Sequence, residues 1–155
     1  MIREMRRQDR LLSRPEAIAI MEKGDYGVLA CSDCEYSYAV PLSYVWDDGV
    51  IFFHSARQGH KLDNLRANPR VSFAVVETFE ALPGKFAANY RSAIAFGKAG
   101  EVLGAEKERA LQLLLKKYAA GYWEEGLAYI ARSKDNTTVM GITVEHITGK
   151  ESRQA

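Results

Sequence analysis

The segment His54-Ser55-Ala56-Arg57-Gln58-Gly59-His60-Lys61 sets two histidines, two cations and a hydroxyl within one short stretch. It leaves the apolar run Ile51, Phe52, Phe53, passes through a glycine and enters a helix-forming sequence. A helix start presents N–H groups without acceptors and a partial positive charge, which suits a phosphate. Lys61 and Arg57 add charge, and Ser55 adds a hydroxyl donor. This is not a Walker loop, because the G-x-x-x-x-G-K-[ST] spacing is absent. The same residues would also make an ordinary solvated turn, and the segment alone leaves both readings open. His54, with a reference pKa of about 6.5, would serve proton transfer beside a redox ring and would otherwise be a packing residue. His146 has no clustered partner and reads as structural.

A second informative stretch is residues 36–46, which alternate strictly. Tyr36, Tyr38, Val40, Leu42, Tyr44 and Trp46 share one face, and Ser37, Ala39, Pro41, Ser43 and Val45 the other. Pro41 removes a ladder donor and belongs at an edge or a bulge. A small-residue face interrupted by proline lets a flat ring approach the backbone, whose N–H and C=O groups can bond the ring's polar rim. Plain edge protection is the alternative.

Other motifs exclude chemistries. There is no G-x-G-x-x-G after a strand, no G-x-S-x-G elbow and no H-E-x-x-H. Asp47-Asp48 and Glu124-Glu125 suit a turn and a helix start better than an acid/base pair. Cys31 and Cys34 form a C-x-x-C without a second Cys/His pair at zinc spacing, and they fall where a hairpin turn is expected. Lys+Arg is 21 against Asp+Glu 20, a net charge of +1, so no domain-scale nucleic-acid footprint is expected. Arg3, Arg6, Arg7 and Arg10 read as a solvated arm. No apolar run reaches the roughly 18 residues of a membrane span and no signal-peptide core is evident, so a soluble, cytoplasmic protein is expected.

The elements that must position these groups follow from pattern. One domain over residues 1–155 is expected, with an arm at 1–12 and a tail at 149–155. Ser13-Arg14-Pro15-Glu16 is a capping box. Strands are expected at 26–30, 36–46, 50–54, 71–77, 90–102 and 137–148, with Asp47-Asp48-Gly49 as a hairpin turn. Helices are expected at 61–68, 105–118 (apolar stripe Leu111, Leu114, Leu115) and 123–132, and a loop at 78–87. Six mainly antiparallel strands without regular strand-helix-strand alternation predict a mainly β fold, a small β-barrel with helical additions.

Several of these pieces, in order, resemble a known family. Val40-Pro41-Leu42-Ser43-Tyr44, His54-Ser55-Ala56 with Gly59-His60-Lys61, Asn68-Pro69, Val71-Ser72-Phe73, Tyr90-Arg91-Ser92, Phe96-Gly97-Lys98-Ala99 and Ile147-Thr148-Gly149-Lys150 look like the Nim group. These are 5-nitroimidazole-resistance proteins of the pyridoxamine-phosphate-oxidase-like, FMN-binding split-barrel superfamily. The resemblance implies a six-stranded antiparallel split barrel, an obligate homodimer and two FMN sites at the subunit interface. It implies that the strand carrying Ala39, Val40, Pro41, Leu42 and Ser43 lies along the isoalloxazine ring. His54 and Ser55 would stand near ring and ribityl tail, with His54 facing the nitro compound. His60 and Lys61 would hold the phosphate, with Arg57 as added charge. Tyr90, Arg91 and Ser92 would complete the pocket from one subunit or the other. Where Nim-like sequences often carry Pro-Tyr, this chain has Ser37-Tyr38, which bears on substrate choice. The implied activity is FMN-dependent nitroaromatic reduction with electrons from a diffusible donor. A non-catalytic flavin or haem binder, or a pyridoxamine-phosphate oxidase, would use the same barrel.

Overall fold

The computed structural model describes residues 2–33 and 35–154. In chain order the elements are β1 (Leu11–Leu12), α1 (Arg14–Lys23), β2 (Gly27–Ser32), β3 (Ser37–Leu42), β4 (Val45–Asp47) and β5 (Val50–Ala56). They continue with α2 (His60–Ala67), β6 (Arg70–Leu82), β7 (Ala87–Val102), α3 (Gly104–Ala119), α4 (Trp123–Ser133) and β8 (Thr137–Ser152). The capping box forms as expected: the Ser13 amide and hydroxyl both donate to Glu16 Oε2, at 2.8 and 2.6 Å.

All strands join one antiparallel sheet in the order β3-β2-β6-β7-β8-β5-β4, with β1 added on β8. Its two edge strands, β3 and β4, are consecutive in sequence and are linked only by Ser43 and Tyr44. Leu42 and Val45 therefore lie within about 11 Å of each other. A flat sheet of seven strands would separate its edges by about 29 Å. The sheet must curl until its edges nearly meet, yet they do not pair, so the barrel stays split.

Inside it pack Leu29, Tyr44, Phe53, Phe73, Val75 and Ile142, with α1 closing one side through Ala17, Ile20 and Met21. A second apolar cluster forms on the outer face of β4, β5 and β8, where Phe52 and Val139 meet Ala110, Leu111 and Leu114 of α3 and Ile130 of α4.

Among the described residues, eight strand segments replace the expected six. One is the short β1. The other arises because residues 36–46 are two strands: β3 pairs with β2, and β4 pairs with β5. The predicted turn survives, with Asp48 and Gly49 both at positive φ (42° and 84°) as a two-residue hairpin turn requires. The expected loop at 78–87 is instead a ribbon in which β6 and β7 continue to pair past a bulge at Val76/Thr78. Leu11 and Leu12 pair with Lys150 and Gly149, so β1 and β8 tie the two ends of the chain together.

Candidate functional site

The segment at 54–61 forms as a strand end, a turn and a helix start. Gly59, the residue before α2, has φ 138°, a conformation that side chains strain to adopt. Its carbonyl accepts the Leu62 and Asp63 amides, at 2.9 and 3.2 Å, which sets the first turn of α2. That helix is anchored by Leu62 and Leu65 in the barrel core and by buried Asn64, whose amide nitrogen lies 3.7 Å from Cys31 Sγ. Cys31 is thus a buried residue of β2 rather than a turn residue; Cys34 lies outside the described residues. The turn nearby is made by Asp33, which accepts the Glu35 and Tyr36 amides.

Lys61 is half-buried at the start of α2, and no ion pair to it exists among the described residues. Burial lowers its ammonium below the usual range. Arg57 and His60 are exposed, and Ser55 is half-buried. The His60 ring lies 4.3 Å from that of Tyr38 on β3, tilted by 39°. This contact holds the 55–61 turn beside β3. On that strand Ala39 and Pro41 are exposed while Val40 and Leu42 turn inward, as the alternation predicts, and Ser43, the residue after it, is exposed as well.

His54 shares its side of β5 with Phe52, so it points toward α3 and α4 rather than into the barrel. Crowding by protein atoms, and secondarily the charge of Lys61, lower its imidazole below the usual value. It lines a cavity of about 590 Å³ that Ser43 also lines. Of the residues expected to hold a cofactor, only Ser43 and His54 line this cavity; its walls are Leu111, Leu114 and Tyr118 of α3 and Tyr129 and Ile130 of α4. Those walls escape a sequence reading because a helical tyrosine does not announce what it faces. The one available signal was the run of aromatics Tyr118, Tyr122, Trp123 and Tyr129.

Tyr118 also explains why the long strand breaks. Its phenol oxygen accepts the Tyr44 amide at 3.0 Å and lies 2.8 and 2.7 Å from the Tyr44 and Asp25 carbonyl oxygens, to one of which it donates. A side chain thus takes the backbone groups that a ladder would otherwise pair. Tyr44 itself turns into the core and donates to the Met21 carbonyl at 2.6 Å, with Lys117 Nζ 4.0 Å from its ring centre. Tyr118→Phe is expected to orphan the Tyr44 amide and cost about 1 kcal/mol, read as a lower urea midpoint. An unchanged midpoint would remove the phenol from the strand break.

Tyr90, Arg91 and Ser92 do not join this site within one chain. On β8 they lie opposite Ser152, Glu151 and Lys150, whereas His54 lies opposite Val139, near the other end of the same strand. Arg10 donates to the Tyr90 hydroxyl at 3.0 Å, and Arg91 pairs with Glu77 at 2.7 Å.

Residues 13–151 match the family model of pyridoxamine 5′-phosphate oxidase. The chain belongs to that family. A pyridoxamine 5′-phosphate oxidase-like split barrel accounts for the curled, unclosed sheet. An uncharacterized protein of Rhizobium meliloti (strain 1021) is 32% identical over 124 residues, covering 76% of this chain and 75% of the relative. Among solved structures, an FAD-binding protein of Mesorhizobium loti is 27% identical, with TM-score 0.69 over 93% of this chain and 98% of that one. A candidate 5-nitroimidazole antibiotic resistance protein of Bacteroides thetaiotaomicron shares the fold at 21% identity, with TM-score 0.73 over 91% of this chain and 86% of that one. In the pyridoxamine 5′-phosphate oxidase fold as this chain builds it, no helix among the described residues is long and apolar enough to cross a membrane. No metal-binding cluster of His, Cys, Asp or Glu occurs among the described residues.

Proposed function

We infer that the chain is a flavin-dependent oxidoreductase that holds FMN between two copies of itself and reduces nitroaromatic compounds such as 5-nitroimidazoles. The observation that carries this is Lys61: a half-buried cation without an acidic partner among the described residues, beside a helix start whose first amides lack intrahelical acceptors. Burying a charge without a counter-charge is unfavourable, so an anionic group bound here relieves a cost the fold already bears. The phosphate of FMN, carrying roughly −1.5 to −2 charges near pH 7 by analogy with phosphoserine, fits that need. Ser55 and Arg57 add donors at the same turn. The exposed small face of Ala39, Pro41 and Ser43 leaves room for a flat ring along β3, with backbone groups of Val40 and Leu42 in reach of its polar rim. The Mesorhizobium loti and Bacteroides thetaiotaomicron neighbours, one FAD-binding and one a candidate nitroimidazole-resistance protein, favour the same reading.

A bound flavin supplies the electrons; the chain's residues bind it, orient it and manage protons. Electrons must reach it from a diffusible donor, since the sequence encodes no nicotinamide-binding fingerprint. His54 projects into the cavity beside Ser43, where an electron acceptor would lie, and is the group placed to hand it a proton. A second copy fits the outer face of β6 and β7, where Val76, Phe79 and Ile94 are exposed and the ribbon tip shows Phe86 at 99% exposure. That arrangement would let Tyr90, Arg91 and Ser92 reach the flavin of the other subunit, which they cannot do within their own chain.

The test is cofactor titration of the purified chain with FMN and with FAD, followed by light scattering. FMN is expected to bind near one per chain in a particle of two chains. Lys61→Ala is expected to weaken FMN binding about tenfold or more through the lost charged contact. An FMN affinity untouched by the variant, or a monomer that binds FMN fully, would overturn the assignment. Tighter binding of FAD would transfer the site to that cofactor.

A further inference from the structure

The flavin reading uses one end of the 590 Å³ cavity and leaves the rest of it without a role. That remainder is built by the α3–α4 pair. Gly126 lets α4 approach closely, because a Cβ there would collide with the Leu115 side chain. The two helices bury little of α4 itself: Ile130 is its one buried residue, while Tyr129, and Tyr122 just before the helix, line the cavity yet stand 64% and 70% exposed. Leu111, Leu114 and Leu115 supply apolar walls, and Tyr118, Tyr122 and Tyr129 supply ring faces. Solvent-facing aromatics rimming an apolar hollow are surface the fold has not spent on its own core.

We propose that this cavity binds a neutral, planar, fused-ring aromatic molecule, with its polar substituent directed at Ser43 and His54. The proposal deepens the flavin reading by naming the class of the second ligand, and it rests on that reading for what the ligand meets at the cavity floor. Size argues for the class: the volume lies in the range of pockets that enclose drug-sized ligands, and a lone five-membered ring would leave most of it wet. Wall chemistry argues for aromaticity, because tyrosine faces pair with flat rings in offset or edge geometry. Charge argues for neutrality: the charged residues lining the cavity besides His54 are one acid, Glu125, and one base, Arg132, which favour neither sign. No residue of the 55–61 turn lines the cavity, so the phosphate seat and this pocket are separate places, and His54, the residue before the turn, belongs to the pocket.

The experiment is calorimetric titration of the full chain, with and without added FMN, using 1-naphthol, naphthalene-1-sulfonate and imidazole as redox-inert probes. Naphthol is expected to bind at least about tenfold more tightly than either of the others. In the Tyr122→Ala/Tyr129→Ala double variant, both sites being exposed, naphthol affinity should fall about tenfold. FMN affinity should stay within about twofold in the same variant. Naphthol binding that ignores the double variant, or that equals the sulfonate's, overturns the proposal. So does FMN affinity falling in step with naphthol's, which would make the cavity the seat of the flavin. A chain that binds no FMN but shows the naphthol pattern defeats the flavin reading and leaves the cavity assignment standing.

Discussion

His54→Ala should retain flavin yet lose about a hundredfold or more of its anaerobic nitroimidazole-reducing rate, the scale of a lost general acid. The position argues for this. The side chain leaves β5 on the outer side, lines the cavity with Ser43, and is not needed by the barrel core. Its protonation should also shape the pH profile. The side chain is exposed to solvent, yet crowding by protein atoms and then the charge of Lys61 hold its imidazole below the usual value, so the neutral form dominates at pH 7. A proton donor that is neutral at pH 7 gains strength as the medium becomes acidic. The rate should therefore rise as pH falls below about 6.5, and His54→Ala should flatten that rise. The sign for stability is the opposite. The unfolded chain binds more protons between the folded and unfolded values, so stability is fully present above about pH 6.5 and declines as pH falls toward the folded value. Steady-state rates across pH 5 to 8 for both proteins measure the effect. Wild-type rates in the variant would take His54 out of the reaction.

Gly97→Ala is the single added methyl expected to damage the fold most, by about 3 kcal/mol. Gly97 lies on β7 at the register shift against β8, where Phe96 faces His146 and Gly97 faces Val144. A Cβ there would drive into the Thr143 carbonyl, which is backbone and has no rotamer to yield. The bulge adds a residue to one strand and sharpens the local twist. That twist is part of the curl that brings β3 and β4 within reach of the two-residue link Ser43-Tyr44. Gly100→Ala, on the same strand with no atom within 4 Å of its Cβ, is the matched control and should change stability by less than about 1 kcal/mol. Thermal unfolding of the pair should show Gly97→Ala melting roughly 6–12 °C lower. Equal melting points would mean that the bulge tolerates a side chain and that the curl does not depend on it.

Much of this fold was legible along the chain because the rules involved act over a few residues. Ser13 and Glu16 cap α1 three positions apart, Asp48 and Gly49 make a turn out of two φ values, and alternation across residues 37–42 tells inward from outward. The same locality made the 54–61 segment readable as a strand end, a glycine and a cationic helix start. It failed at Ser43 and Tyr44, where alternation runs on unbroken but the strand does not. The reason is Tyr118, distant in sequence, whose phenol takes the backbone groups of Tyr44.

Residue type and spacing by themselves determined the β character, the capping and turns, and the cationic start of α2. Only the folded chain decided three further things: that β3 and β4 are opposite edges of one curled sheet, that His54 opens onto a hollow walled by α3 and α4, and that Tyr90, Arg91 and Ser92 lie at the far end of β8 from it. The physical reason is that hydrogen-bond period and cap chemistry are settled between near neighbours. Which surfaces meet, and what space is left between them, is set by packing among side chains that sequence order keeps far apart.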